Sequence, residues 1–150
     1  MFFNIINRGP HTPYVSREDA RSVVAEYRGR LAPLMEGSGL DSLMSRIEGY
    51  MIDVLGSSPP GGASMDREVF ETLSECLVRS GLAYESKLED WDGGYTLTAT
   101  DHTWGRGARP GVEGVLGELM QRLVEMRTGR RYCAEATQVH RKTIFRFSRG

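Results

Sequence analysis

The chain has few of the residues that build disulfide scaffolds, membrane spans or secretion signals. Its two cysteines, Cys76 and Cys133, are too few for a disulfide framework. No apolar run approaches the roughly 20 residues that span a bilayer. Residues 1–6 are too short for a secretory signal, and no basic segment precedes them. We therefore expect a cytoplasmic protein without a membrane span. Its 150 residues, 39% of them hydrophobic, are enough for one domain over 1–150 with a sizeable core.

Motifs of common catalytic and metal sites are also missing. The three histidines, His11, His102 and His140, show no metal-ligand spacing with one another or with the cysteines. The sequence contains no His-Glu-x-x-His, Cys-x-x-Cys or Gly-x-Ser-x-Gly motif. It therefore predicts no metal site, assigns no catalytic residue and identifies no cofactor. These absences favour a binding protein over an enzyme.

Charge is distributed unevenly along a chain whose formal net charge is only -1. Residues 1–104 have a balance of −7, and residues 105–150 a balance of +6. A basic carboxy-terminal third is compatible with an anion or nucleic-acid surface. The alternative is that basic strands lie beside acidic helices or in a subunit contact. We favour the alternative, because the net charge would not attract the chain to nucleic acid.

Hydrophobic periodicity predicts both helices and strands. Apolar residues at helical spacing predict helices at about 17–31, 40–55, 66–80 and 110–128. Alternation predicts strands at about 82–89, 95–100, 132–139 and 143–147, and residues 1–6 as a further strand. In the first strand, Leu82, Tyr84 and Leu88 form the expected buried face. The order helix-helix-helix-hairpin-helix-hairpin indicates an α+β fold, with about four antiparallel strands packed against helices.

Glycines in the last predicted helix suggest a ligand-binding wall. Gly111, Gly114 and Gly117 are spaced by three, and each costs about 1 kcal/mol relative to alanine in a helix interior. Close packing of the helix on the sheet would explain them, and so would a ligand. Under the ligand hypothesis, we expect Gly114 and Gly117 to form one wall of a pocket together with Leu116 and Met120.

The segment before that helix supplies the other candidate site residues. His102 and Trp104 follow a predicted strand, and we expect them near the mouth of the pocket, although a structural or surface histidine is the common alternative. Arg106 and Arg109, within the glycine-rich residues 105–111, precede a helix N-terminus. They form a weak candidate anion site, with a plain loop as the alternative.

The two cysteines have different expected environments. Cys76 falls on the apolar face of the third helix and is expected in the core. Cys133 follows Arg131 and Tyr132 in a predicted strand. We expect it to be buried, and the alternative is a reactive thiol whose pKa is lowered by the nearby arginine.

Residues 46–147 follow an order of short motifs that is known from one family. The matching stretches are 46–50 (RIEGY), 70–81, 92–97 (DGGYTL), 111–117 (GVEGVLG) and 128–130 (TGR), followed by Glu135 and Phe147. In this order the chain resembles the 4-vinyl reductase domain, a small-molecule-binding relative of the Bet3-type trafficking fold. The family often has a cysteine three residues after the strand glutamate and another near the final phenylalanine. Here Gln138 occupies the first position and residues 144–146 contain no cysteine, so the metal or thiol role of that motif is not expected.

The resemblance implies a domain that binds a small apolar molecule between sheet and helices, in a sensory, carrier or regulatory role, with output through a downstream protein partner. A ligand-free interaction or scaffold module is the first alternative. A tetrapyrrole-handling enzyme using His102, or a haem or nitric-oxide sensor, is the second, although no proximal histidine is evident. We also expect a homodimer, because the apolar faces of the first two helices, with Tyr27 and Tyr50, exceed what a one-sided sheet can cover.

Overall fold

A computed structural model describes residues 17–35, 37–56, 66–101 and 111–150. These residues form helices α1 (Arg17–Leu31), α2 (Gly37–Gly56), α3 (Asp66–Arg79) and α4 (Val112–Thr128), and strands β1 (Glu85–Trp91), β2 (Gly94–Thr100), β3 (Tyr132–Val139) and β4 (Lys142–Arg149). A single 3-10 turn, Ala32–Leu34, follows α1. The predicted α+β class and order of elements are confirmed for this part of the chain. The strand expected at residues 1–6 lies outside it.

The strands form one open antiparallel sheet in the order β1-β2-β4-β3. The central strands pair with Leu97 opposite Phe145 and with Tyr95 opposite Phe147. On β2, Tyr95, Leu97 and Ala99 are buried, while the threonines between them are only half-buried. This alternation defines an inner face, which the helices cover, and an outer face on the other side.

The helices form two layers above the inner face. Helices α3 and α4 contact the sheet, and α1 and α2 pack against α3 and α4. Tyr27 and Tyr50 are buried inside this arrangement, and the Tyr50 hydroxyl donates a hydrogen bond to the Leu73 carbonyl at 3.0 Å. The expectation that these tyrosine-bearing faces remain uncovered in one chain is therefore wrong. A second helix layer covers these faces. The expectation from the sequence considered only a sheet with helices on one side and did not include this layer.

Two further expectations are corrected by the course of the strands. Tyr84 is 76% exposed rather than buried, because β1 begins only at Glu85. Before that, the backbone N–H groups of Leu82 and Ala83 bond to the carbonyl of Leu77 at the end of α3, which breaks the period-2 pattern. Cys133 is exposed, because it lies between two inner-face residues and so belongs to the outer face. Cys76 is buried in the core, as expected.

Among the described residues of the basic carboxy-terminal third, several arginines form ion pairs with acidic side chains elsewhere in the fold. Arg122 pairs with Glu26, Arg130 with Asp66 and Arg141 with Asp101, at 2.8, 2.8 and 3.6 Å. Strand alternation places both signs on the outer face of the sheet: Glu85, Lys87, Glu89, Glu135, Lys142 and Arg146. This arrangement supports the interpretation that the basic residues neutralise acidic ones elsewhere in the fold.

Candidate functional site

The α4 residues predicted to line a pocket do not share one environment. Leu116 and Met120 are buried in the hydrophobic core. A Cβ atom built on Gly117 would lie 3.5 Å from the Phe145 ring and 3.7 Å from the Ala136 methyl group. Gly117 therefore lets α4 lie directly on the sheet, which is the structural alternative considered for the glycines.

Gly114 lies apart from this contact. It is exposed, and a Cβ atom built on it would meet nothing within 4 Å. The structure therefore brings Leu116, Gly117 and Met120 to the buried side of α4 and leaves Gly114 on the solvent side. The expectation that Gly114 and Gly117 act together as one wall between helix and sheet does not match this geometry, because the two glycines have different surroundings.

The remaining predicted site residues, His102, Trp104, Arg106 and Arg109, fall within residues 102–110 and lie outside the described residues. Asp101, the residue before them, is described and directly follows the last residue of β2. Its φ of 53° is in the left-handed region, where aspartate is among the few residues often found. Its backbone N–H donates to the Arg141 carbonyl at 2.9 Å. The chain therefore leaves β2 beside the β3–β4 turn, and the predicted site segment starts there.

A surface depression of about 450 Å³ lies at this exit, lined by Gly81, Ala83, Tyr84 and Asp101. Gly81 ends α3 with a φ of 80°, a conformation that favours glycine. The backbone N–H of Tyr84 donates to the Thr100 carbonyl at 3.1 Å, which holds the exposed aromatic ring beside the end of β2. The lining combines an aromatic side chain, small residues and one carboxylate. Such a surface can hold an apolar molecule and orient a polar group on it.

The inner face of the sheet beside this depression carries small and polar residues. Register places Ser86, Ala99, Thr143 and Gln138 in one row across β1, β2, β4 and β3. We call this row the small-residue end. The Ser86 hydroxyl donates to the Ser74 carbonyl at 2.9 Å and also contacts the Ser74 hydroxyl. Thr143 is fully buried, and its hydroxyl has no hydrogen-bond partner in the described part of the chain.

The opposite end of the inner face is filled with aromatic rings. Phe70 stacks on Tyr95 with ring centroids 4.2 Å apart, and it lies 5.2 Å from Tyr132 and 5.1 Å from Phe147. We call these four residues the aromatic end. The Tyr132 hydroxyl donates to Asp66 at 2.5 Å. Burial and this hydrogen bond raise the pKa of Tyr132. The Tyr132 hydroxyl and the Asp66 carboxylate are both hydrogen-bonded, so this end has the character of a structural anchor.

A buried arginine joins two helix ends near the aromatic end. The Arg127 guanidinium, on the last turn of α4, donates to the Val54 carbonyl at 2.7 Å at the end of α2. Desolvation by burial lowers the pKa of Arg127. Its charge is placed favourably at the negative end of the α2 dipole. We assign Arg127 to helix capping, because the groups it is known to contact are backbone carbonyls.

Sequence reasoning missed the two most informative residues at the β2 exit. Tyr84 continues the alternation of Leu82 and Leu88 and was therefore assigned to the core. The sequence pattern gave no indication that its side chain is exposed. Thr143 was assigned to a strand, where a β-branched residue is ordinary. No pattern in a single sequence distinguishes a buried threonine hydroxyl with a partner from one without.

Properties of the described residues and comparisons with known proteins both bear on the nature of this site. No group of three His, Cys, Asp or Glu side chains suited to a metal ion occurs among the described residues. Within the same residues, no helix has the length and hydropathy that a bilayer crossing requires. No family model matches the chain, and no curated protein is significantly similar to it.

Proposed function

We propose that this chain binds a small, mainly apolar molecule at the depression beside the end of β2. The observation that carries the proposal is the open surface depression of about 450 Å³, at which the Tyr84 side chain is 76% exposed. An exposed aromatic ring beside small residues offers apolar contact area at little conformational cost. Ligand pockets commonly have volumes of about 300–1,000 Å³.

The resemblance to the 4-vinyl reductase domain supports the same proposal, since it implies small-molecule binding. We also expect His102 and Trp104 near the mouth of the site, because in the sequence both follow Asp101, which lines the depression. Within this proposal the role is sensory, carrier or regulatory, and the output passes to a downstream protein partner. The homodimer expected from the sequence stays a prediction, and the faces of α1 and α2 that carry Tyr27 and Tyr50 no longer support it, because they are buried within the chain.

A neutral apolar dye, N-phenyl-1-naphthylamine, tests the site directly. We expect saturable binding with one site per chain, and we expect Tyr84→Ser to weaken it roughly tenfold through loss of aromatic contact. Val139→Ser is the matched control, because Val139 is another exposed hydrophobic residue, at 46%, and does not line the depression. Absence of saturable binding, or equal effects of the two substitutions, would contradict the proposal.

A ligand-free interaction module is the second candidate. The close approach of α4 to the sheet at Gly117 favours it, because that contact leaves no room for a ligand between α4 and β3. Native mass spectrometry of protein purified from its own source separates the two candidates. A retained small molecule supports the binding proposal, and a stable partner chain without a small molecule supports the interaction module.

A further inference from the structure

Strands β1 and β3 are the two edges of the described sheet, and their compositions differ. In β1, four of the seven residues are charged: Glu85, Lys87, Glu89 and Asp90. Arg67 of α3 also pairs with Asp90 at 2.9 Å. Charged side chains protect a sheet edge from pairing with another chain. In β3, only one of the eight residues, Glu135, is charged, and none is a proline, so β3 lacks this protection.

Every second residue of β3 directs its backbone N–H and carbonyl groups to the free edge of the strand. The Arg131 carbonyl accepts the backbone N–H of Gly150 on the other side, so the odd-numbered residues bond to β4. The Ala134 N–H points to the free edge, where it donates to the Gln121 side chain of α4 at 3.0 Å. The same alternation directs the backbone groups of two further residues to this edge, beside which no described strand lies: Ala136 and Gln138.

Helix α4 presents an exposed glycine above this free edge. Gln121 bonds to Ala134 and Gly117 lies over Ala136, so Gly114, nearer the start of α4, lies over the residues that follow Ala136. Gly114 and Gln121 are two turns apart and therefore on the same side of the helix. A Cβ atom on Gly114 would meet nothing within 4 Å. A glycine here is unfavourable for the helix, and it permits the close approach of another backbone.

We infer that the free edge of β3 is a homodimer interface, at which two copies of the strand pair antiparallel about a two-fold axis at Thr137. In this register, Ala136 lies opposite the partner's Gln138, and the two such pairs form four backbone hydrogen bonds. The bond between Ala134 and Gln121 stays in place. The inference concerns a surface of the chain and does not rest on the binding of a small molecule.

A second copy fits this edge because the edge is complementary to itself about Thr137. Glu135, the one charged residue of β3, would lie opposite the partner's Val139, so no like charges meet. The two Thr137 side chains would face each other, and threonine pairs are favourable across antiparallel strands. The pairing would cover Val139, which is 46% exposed in one chain. Gly114 of each copy would lie beside the axis, where the two α4 helices can approach closely.

The position of Thr137 on the axis gives a direct test, because a charge placed there faces the same charge on the partner. Analytical ultracentrifugation of the full chain, from micromolar to submillimolar concentration, measures the dissociation constant of the dimer. We expect the wild-type chain to dimerise, and we expect Thr137→Lys and Thr137→Glu each to raise the dissociation constant roughly fivefold. An equal mixture of the two variants should recover the loss, because lysine then faces glutamate.

Thr98→Lys is the matched control, because Thr98 is on the same outer face but in the central strand β2. It adds the same charge away from the edge and should leave the dissociation constant unchanged.

Gln138→Pro tests the backbone pairing itself. Proline removes an N–H group that points to the free edge and leaves the bonds between β3 and β4 intact, so the monomer should fold. Each dimer would lose two of its four backbone bonds, and we expect the dissociation constant to rise at least tenfold. Circular dichroism checks that the variant is folded.

Two outcomes would overturn the inference. A wild-type chain that stays monomeric over this range would leave the edge to an extended segment of a different protein. A dimer with the same dissociation constant in wild type and in both Thr137 variants, alone and mixed, would use another surface. If Gln138→Pro does not fold, the Thr137 variants and their mixture decide the question by themselves.

Discussion

The aromatic end and the small-residue end of the inner sheet face are built on the same strands but are packed differently. At the aromatic end, Phe70 contacts three other rings, and the buried Tyr132 hydroxyl is bonded to Asp66. At the small-residue end, Ala99 adds only a methyl group and the Thr143 hydroxyl has no described partner. We therefore expect the aromatic end to contribute more to stability than the small-residue end, because it buries larger side chains.

The largest expected effect tests whether the aromatic end is the anchor of the fold. Phe70→Ala should lower the free energy of unfolding by about 3–5 kcal/mol, because it removes a fully buried ring from a cluster of four. Ala99→Gly, at the small-residue end, should cost only about 1 kcal/mol. Urea denaturation of both variants gives the comparison. Similar losses would show that the two ends contribute equally.

The next effect concerns pH and the buried thiol on α3. Burial raises the pKa of Cys76 from 9.0 to about 11. Above pH 9 the unfolded chain loses the thiol proton, while the folded chain keeps it until about pH 11. The free energy of unfolding should therefore fall between these values, with Cys76 contributing about 2 kcal/mol of the loss by pH 10.5. The contribution is measured as the difference between wild type and Cys76→Ala in urea titrations at pH 8 and pH 10.5. Identical pH dependence in both proteins would disprove it.

The smallest effects separate the two glycines of α4. Gly117→Leu should lower the free energy of unfolding by roughly 1–3 kcal/mol, because its added carbons would meet Phe145 and Ala136. Gly114→Ala should raise it by about 0.5–1 kcal/mol, since the position is exposed and alanine is the better helix former. Thermal unfolding of the two variants measures both signs. If Gly114→Ala lowered the free energy of unfolding as much as Gly117→Leu does, both glycines would lie on the same packed face of α4 and the prediction would be wrong.

Several parts of the fold were predictable because they depend on local periodicity. The spacing of Leu43, Ile47 and Met51 predicted α2, and all three are buried. The alternation of Tyr95, Leu97 and Ala99 predicted β2 with the correct inner face. Strand β3 has the predicted bounds of residues 132–139. These predictions hold because one face of each element must be apolar for it to pack.

The candidate site was less predictable, because it depends on how elements meet. From the sequence, His102 and Trp104 were predicted near the mouth of a pocket, and the depression is lined by Asp101, which directly precedes His102. The lining residues Ala83 and Tyr84 come from a connection that was assigned to the first strand, and Gly81 was expected to end the third helix. The sequence pattern continues across that connection, while hydrogen bonds to the Leu77 carbonyl redirect the chain.

Hydrophobic periodicity and turn residues act locally, so they were enough to predict the α+β class, the order of the elements and most of the residues that face the core, with Tyr84 and Cys133 as exceptions. The packing of the elements against one another sets the remaining features: a second helix layer buries Tyr27 and Tyr50, and Gly117 contacts the sheet while Gly114 faces solvent. It also leaves Tyr84 exposed. Each of these outcomes depends on contacts between elements distant in the sequence. Burial at such contacts is a property of the packed arrangement, and no single segment encodes it.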